Sequence, residues 1–182
     1  MAESLRALIV EDDLYMRMLL RSLLLSLGVK DVTEAKNGAV ALAILADRDF
    51  DFILSDLTMI PMDGIEFTRA VRLSGEVKNP FVPIIMVTSH TERQHVEAAR
   101  DAGVTEFLAK PVTINNLTLR ISEIVDRPRQ YVQTPNYFGP DRRRRADETY
   151  TGPRRRKSDE IEADSAAAAD VEPFVIEDKE AL

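Results

Sequence analysis

Three acidic residues in a row, Glu11-Asp12-Asp13, follow the apolar run at residues 5–10. Asp56 closes the run "FILSD", Thr88-Ser89 closes "VPIIMVT", and Lys110-Pro111 follows "EFLA". If these runs are parallel strands, their carboxyl ends converge, and acids, a hydroxyl and an ammonium share one pocket. Clustered carboxylates repel one another, and a hard divalent cation with oxygen ligands relieves that repulsion. Mg²⁺ suits such a place, taking one or two carboxylates plus water and a phosphate oxygen. Lys110 and Thr88 would hold the other oxygens of a phosphoryl group, by charge and by hydrogen bond. An ionised Asp56 is a competent nucleophile toward an activated phosphoryl donor. Singly, each residue reads as a solvated loop acid or a helix cap; the chemistry lies in the set.

A second constellation sits near the other end of the chain. Eight arginines and lysines fall within residues 142–157, beside two near-copies of Tyr-x-Gly-Pro. The copies repeat at an offset of 13 residues: Tyr137/Tyr150, Gly139/Gly152, Pro140/Pro153, Arg142/Arg155, Arg143/Arg156 and Arg144/Lys157. Guanine offers O6 and N7 to a bidentate arginine, and its other edge donates to a carboxylate. Tyrosine rings and guanidinium planes stack on purine faces. The first half-site supplies Tyr137 to stack, Asp141 for the donor edge, and Arg142, Arg143, Arg144 and Arg145 for the acceptor edge and phosphates. The second keeps Tyr150 and has Arg154, Arg155 and Arg156, with arginine in place of the acid. Gly-Pro, ending at Pro140 in the first copy, bends the chain and fixes one φ angle just before the contacts. A guanine ligand with two phosphates and two-fold symmetry matches, and cyclic di-GMP is that ligand.

The elements that must position the first constellation are short. Apolar runs at 5–10, 32–35, 52–56, 82–88 and 106–109 read as strands. Helical stretches near 14–27, 38–47, 64–74, 92–101 and 114–126 alternate with them. Thr113 and Asn115 offer caps for the last helix, and Gly28 suits the end of the first. The pattern predicts an α/β fold, a doubly wound (βα)5 five-stranded parallel sheet with helices on both faces. The apolar strand at 82–88 fits a central position buried on both sides.

After residue 127 prolines punctuate the chain and apolar periodicity vanishes. Residues 128–136 read as a linker, 137–158 as the arginine-rich ligand-binding segment and 159–182 as an acidic tail, all of 128–182 being expected to lack fixed structure when alone. The 182 residues carry a net charge of −7, in blocks. Residues 1–127 are at −5, residues 137–157 at +5 and residues 158–182 at −8. Charge blocks of this kind mark interaction tails. The chain has no cysteine, which excludes disulfides and thiolate metal sites and suits a reducing compartment. No apolar run is long enough to span a bilayer, and the start lacks the pattern of a signal peptide. A cytoplasmic protein with no membrane insertion is expected.

Residues 4–126 resemble a CheY-like response-regulator receiver domain, with "LIVEDD", "ILSDLTMIPMDG", "IIMVTSH" and "EFLAKP" in order and spacing. The resemblance implies a flavodoxin-like fold and a phosphoryl group accepted by Asp56 from a histidine kinase or phosphotransfer protein. It implies direct Mg²⁺ binding by Asp13, Asp56 and the Thr58 carbonyl, with Asp12 acting through water. Thr88 would be the switch hydroxyl, Lys110 the phosphate partner, Phe107 the switch aromatic and Lys110-Pro111 a cis bond. Proline is more usual in the family where Ile60 stands; here Pro61 comes one residue later. Thr58 and His90, two residues after Asp56 and Thr88, stand at positions that tune hydrolysis in the family, although for His90 an exposed loop residue is the simpler reading.

Receiver plus arginine-rich tail also resembles the narrower Cle family of CheY-like cyclic di-GMP effectors. That resemblance implies a motility role, a partner in the flagellar motor, recruitment to the flagellated pole, and no enzymatic output beyond self-catalysed phosphoryl transfer and hydrolysis at Asp56. The expected docking face is the last helix and its neighbours, around Val96, Arg100, Glu106 and Asn116, or the adjoining tail itself. Two alternatives stand beside it: a phosphorelay receiver whose tail is passive, and a receiver-regulated RNA or DNA binder using the basic run. Against the last stands the acidic stretch at 158–182, which repels a long polyanion.

Overall fold

A computed structural model describes residues 5–89, 92–134 and 137–141. Five strands and five helices alternate: β1 (Arg6–Val10), α1 (Leu14–Ser26), β2 (Asp31–Ala35), α2 (Gly38–Asp47), β3 (Phe52–Asp56), α3 (Gly64–Leu73), β4 (Ile84–Thr88), α4 (Arg93–Asp101), β5 (Glu106–Ala109) and α5 (Ile114–Val125). The strands form one parallel sheet in the order β2-β1-β3-β4-β5. This is the doubly wound sheet expected from the sequence.

The two-residue period of a strand splits its side chains between two cores. Ala7, Ile9, Phe52 and Leu54 point to one face, where Leu20 and Leu24 of α1 and Leu117, Ile121 and Ile124 of α5 cover them. Leu8, Val10 and Ile53 point to the other, beneath Ala41 and Leu45 of α2 and Phe67 and Val71 of α3. β3 and β4 are buried along their whole length, so they read as continuous apolar runs. Each such side chain contributes about 1.5–3 kcal/mol on leaving water. α3 begins with a capping box, Asp63 accepting from the Glu66 amide while Glu66 accepts from the Asp63 amide.

Beyond α5 the structure departs from the sequence reading. Residues 128–134 and 137–141 were expected to lack regular structure, and they instead carry an antiparallel pair, β6 (Tyr131–Thr134) and β7 (Tyr137–Pro140). The reason is tertiary. Phe138 is buried, its ring edge-on to Phe81 at 5.1 Å, and Tyr131 stands edge-on to the same Phe81 at 5.5 Å. Gly103, with φ near +100°, lies against the strand so closely that a Cβ there would meet the Phe138 carbonyl oxygen at 2.7 Å. Beneath the pair lies Arg72 of α3, itself buried. Its guanidinium donates to the carbonyls of Gly103 (3.1 and 3.2 Å), Pro80 (2.6 Å) and Val82 (2.9 Å), and lies 5.2 Å from the Tyr131 ring centre. The contacts are made at the amino-terminal edge of the sheet, opposite the ends where the acids gather. Residues 142–182 lie outside the described residues, and with them Arg142, Arg143, Arg144, Arg145, Tyr150, Arg154, Arg155, Arg156 and the acidic stretch.

Candidate functional site: an acidic pocket around Asp56

β3 delivers Asp56 to the carboxyl edge of the sheet with its side chain almost wholly covered. The turn beyond Asp56 is shaped by a close approach. α3 starts at Gly64, where a Cβ would lie 2.2 Å from the Asp56 carbonyl oxygen. Glycine there lets the helix start abut the strand end, which closes one wall of the pocket. One Asp56 oxygen accepts from the Thr58 amide at 3.0 Å, and the other pairs with the Lys110 ammonium at 2.7 Å. Lys110 reaches back from the end of β5 and also meets Glu11 Oε2 at 3.3 Å. Its neighbour bond, Lys110–Pro111, is cis, as is Ile60–Pro61. Thr88 is buried at the end of β4, and its carbonyl accepts from the Lys110 amide at 2.8 Å.

The acids at the end of β1 sort themselves differently from the sequence expectation. Asp13 is the N-cap of α1, its side chain accepting from the Met16 amide at 2.7 Å. That bond satisfies an orphan donor of the first turn. Glu11 takes the inward place: it is 1% exposed, and with Asp12 and Asp56 it offers three carboxylate oxygens lying within 4.8 Å of one another. Assigning Asp13 as a direct metal ligand is therefore corrected, and Glu11, which that assignment passed over, belongs to the pocket. A signal was available. A helix starting at residue 14 makes Asp13 its cap, which turns that carboxylate toward the amides of the first turn.

Electrostatics follow from the geometry. Burial pushes the Glu11 carboxyl above its ordinary value, and the Asp56 charge adds to that, with Lys110 opposing. Burial acts to lower the Lys110 ammonium, but its bonds and charge contacts with Asp56 and Glu11 outweigh it, leaving Lys110 raised. One ammonium thus serves two carboxylates, an excess of negative charge to which the third acid adds. A donor set of hard oxygens with excess negative charge fits Mg²⁺. Glu11, Asp12 and Asp56 are the residues that would hold it, and the Thr58 carbonyl follows Asp56 closely enough in the chain to join them.

The remaining expected residues are scattered. Phe107 is half-buried against Leu57, Met86, Ala99 and Val104. A hollow of about 150 Å³ opens beside it, lined by Leu108, Ala109, Asn116, Leu119 and Arg120. Of the expected docking face, Asn116 is exposed and Val96 and Arg100 are half-buried. Glu106 is buried and paired with Arg120 at 3.4 Å, so it is not a surface contact. His90 lies outside the described residues. Tyr137, expected to stack on a purine, donates from its hydroxyl to the Pro140 carbonyl at 2.7 Å and is half-buried in β7. The Asp141 amide donates to the Gln130 carbonyl at 2.7 Å, and its carbonyl accepts from Arg129.

Comparison with known proteins agrees with this geometry. The family model of the response regulator receiver domain matches residues 7–122. Chemotaxis protein CheY of Pseudomonas aeruginosa is 37% identical over 123 residues, 68% of this chain and 98% of that protein. Chemotaxis protein CheY-3 of Vibrio cholerae is 34% identical over 125 residues, 69% of this chain and 95% of that protein. Among solved structures, Vibrio cholerae CheY4 superposes with a TM-score of 0.62 at 31% identity, covering 68% of this chain and all of that one. The receiver domain of a Pseudomonas aeruginosa sensor histidine kinase, with a magnesium ion coordinated in its active-site cleft, gives 0.60 at 29% identity, covering 66% of this chain and 97% of its own.

Proposed function

The chain belongs to the response regulator receiver domain family, and from that premise we propose that it accepts a phosphoryl group on Asp56. The observation that carries this is the covered Asp56 carboxylate, 2.7 Å from Lys110 and grouped with Glu11 and Asp12. A carboxylate oxygen of Asp56 forms the new P–O bond as the bond between phosphorus and the donor nitrogen of a phosphohistidine breaks. Bound magnesium would neutralise charge on the phosphoryl oxygens. Lys110 supplies a fixed positive charge beside the acceptor, and Thr88, one strand over, supplies a hydroxyl for a phosphoryl oxygen. The Thr58 amide already holds one carboxylate oxygen, and the Lys110 ammonium holds the other.

The finer reading concerns output. The protein binds cyclic di-GMP through its arginine-rich segment and acts in the cytoplasm by docking on a protein partner, with no enzymatic product of its own. The 13-residue repeat of tyrosine, glycine, proline and arginine supports the ligand. Two chemotaxis proteins among the relatives support a motility role, and the flagellar motor as the place of action is what the resemblance of the tail implies. Calorimetric titration with cyclic di-GMP tests it, comparing the full chain with a truncation after Asp141 and with the Arg142→Ala/Arg143→Ala double variant. Binding by the full chain alone is the expected result. Equal binding by the truncation, or binding of RNA with no preference for the dinucleotide, refutes it. Phosphorylation is tested separately with a small phosphoryl donor: the parent takes up label and Asp56→Asn does not.

A further inference from the structure

β5 is held at both ends. Directly after it, Lys110 is tied to Asp56 and Glu11. Just before it, Thr105 is tied to the β6–β7 pair. The Tyr131 hydroxyl lies 3.3 Å from the Thr105 hydroxyl, and the Arg129 guanidinium donates to the Thr105 carbonyl at 3.3 Å. The Thr105 hydroxyl also accepts from the Ile84 amide at 3.0 Å, which brings the start of β4 into the same knot. The strand between these anchors has four residues, so they are separated by only about 15 Å of extended chain. β5 is also an edge strand of the sheet, with one ladder to resist sliding.

We propose that the β6–β7 pair is a strap that holds β5 in its unphosphorylated position and couples the phosphoacceptor pocket to the arginine-rich tail. The latch is Arg129. Its guanidinium bonds the Thr105 carbonyl at the start of β5 and the Asp141 carbonyl at the end of β7, the last described residue before the arginines. A force that orders or redirects the chain after Asp141 therefore acts on the group that grips β5. In the other direction, a phosphoryl group on Asp56 stands between that carboxylate and Lys110. Lys110 must then trade its Asp56 oxygen for a phosphoryl oxygen farther out, and the end of β5 moves with it.

The strap is suited to release. Its apolar hold is buried Phe138 and Pro140 and the edges of two further rings, with the glycine contact beneath. A patch of this size opens locally at a cost well below that of unfolding the sheet. Coupling between two sites is reciprocal, so loosening the strap favours loading of the pocket by the same factor by which loading loosens the strap. The proposal rests on the reading of Asp56 as phosphoacceptor, and is independent of what the tail binds.

The test uses the full chain with beryllofluoride, a phosphoryl mimic, and magnesium. Affinity is measured calorimetrically for the parent, Phe138→Ala, Tyr131→Phe and Arg129→Gln, and hydrogen exchange of 131–141 is followed with and without the mimic. Phe138→Ala is expected to bind about fivefold tighter or more, the other two variants tighter in the same direction, and the parent's strap amides to exchange faster once loaded. Equal affinity in Phe138→Ala, with its strap amides shown to be exposed, overturns the proposal. If that variant does not fold, equal affinity in both Tyr131→Phe and Arg129→Gln, with unchanged parental exchange, does so. No binding by the parent overturns the Asp56 reading along with it, whereas binding by the parent and equally by every variant overturns the strap alone.

Discussion

Replacing Arg72 by methionine keeps the unbranched stem beneath Tyr131 and removes every donor of the guanidinium. Three carbonyls lose their partner: Gly103, Val82 and Pro80. The first two residues are buried and the third is half-buried. A buried carbonyl left without a donor costs ~1–3 kcal/mol, while the Pro80 carbonyl can rehydrate and counts for little. The variant no longer buries a charge, which offsets part of the loss, because burial works against this guanidinium and lowers its pKa. The balance is a destabilisation of about 3 kcal/mol, a sizeable share of the roughly 5–15 kcal/mol that holds a domain together. Equilibrium urea unfolding followed by circular dichroism reads it as a lower midpoint at unchanged slope. Arg72→Lys should fall between the two, since one ammonium cannot fork to Gly103 and Val82 together. A loss below about 1 kcal/mol for Arg72→Met refutes the reasoning, for the carbonyls would then have been satisfied without the arginine.

Asp13→Ala should cost about 1 kcal/mol of stability through the lost cap and leave magnesium affinity nearly unchanged. Asp12→Asn should do the reverse, weakening magnesium at least roughly tenfold, since losing a ligand costs no less than losing one of its outer hydrogen-bond partners; calorimetry on both variants decides between the two acids. Without metal, Glu11 has a folded pKa above its ordinary 4.5, so the folded chain keeps that proton to higher pH than the unfolded one. Its contribution to stability is full below 4.5 and is lost as pH rises through the folded value. Thermal midpoints of metal-free protein across that window should fall with rising pH, and Glu11→Gln should flatten the fall; an equal slope in the variant refutes the assignment.

The sheet was legible because it is parallel and covered on both faces. Such strands must be continuous apolar runs, and "FILSD" and "VPIIMVT" could be nothing else of that length between helical stretches. Asp56, Thr88 and Lys110 were legible for the same reason, each marking where a run ends. Which of Glu11, Asp12 and Asp13 join Asp56 was harder to read, since three acids in a row satisfy the same pattern under a shift of one. Only the helix start breaks the tie. The β6–β7 pair was hidden more deeply. Tyr131, Val132, Thr134, Tyr137 and Phe138 have strand-forming side chains, but two short strands are not stable on their own. What holds them is Arg72, Phe81 and Gly103, between 28 and 66 residues back along the chain, and no local pattern announces such partners. Glu106 was misplaced by the same blindness, its carboxylate being paired with Arg120 across the β5–α5 packing.

The contact between Gly103 and β7 limits how portable the tail is. Grafted onto another receiver, residues 128–182 would find a landing place only where the turn before the fifth strand carries a glycine. An alanine there would bring its methyl to 2.7 Å from the Phe138 carbonyl, on a backbone whose φ of about +100° already disfavours any side chain. The host would also need an arginine at the end of its third helix and an aromatic ring at the position of Phe81. Without that trio residues 131–134 and 137–140 would have no seat on the receiver. The β6–β7 pair and Arg129 would then lose their bonds to Thr105, just before the strand that leads to Lys110. Receiver and β6–β7 pair are in this sense matched, and a chimera that swaps either one alone loses the packing of Phe138 and Tyr131 on Phe81 and of β7 on Gly103.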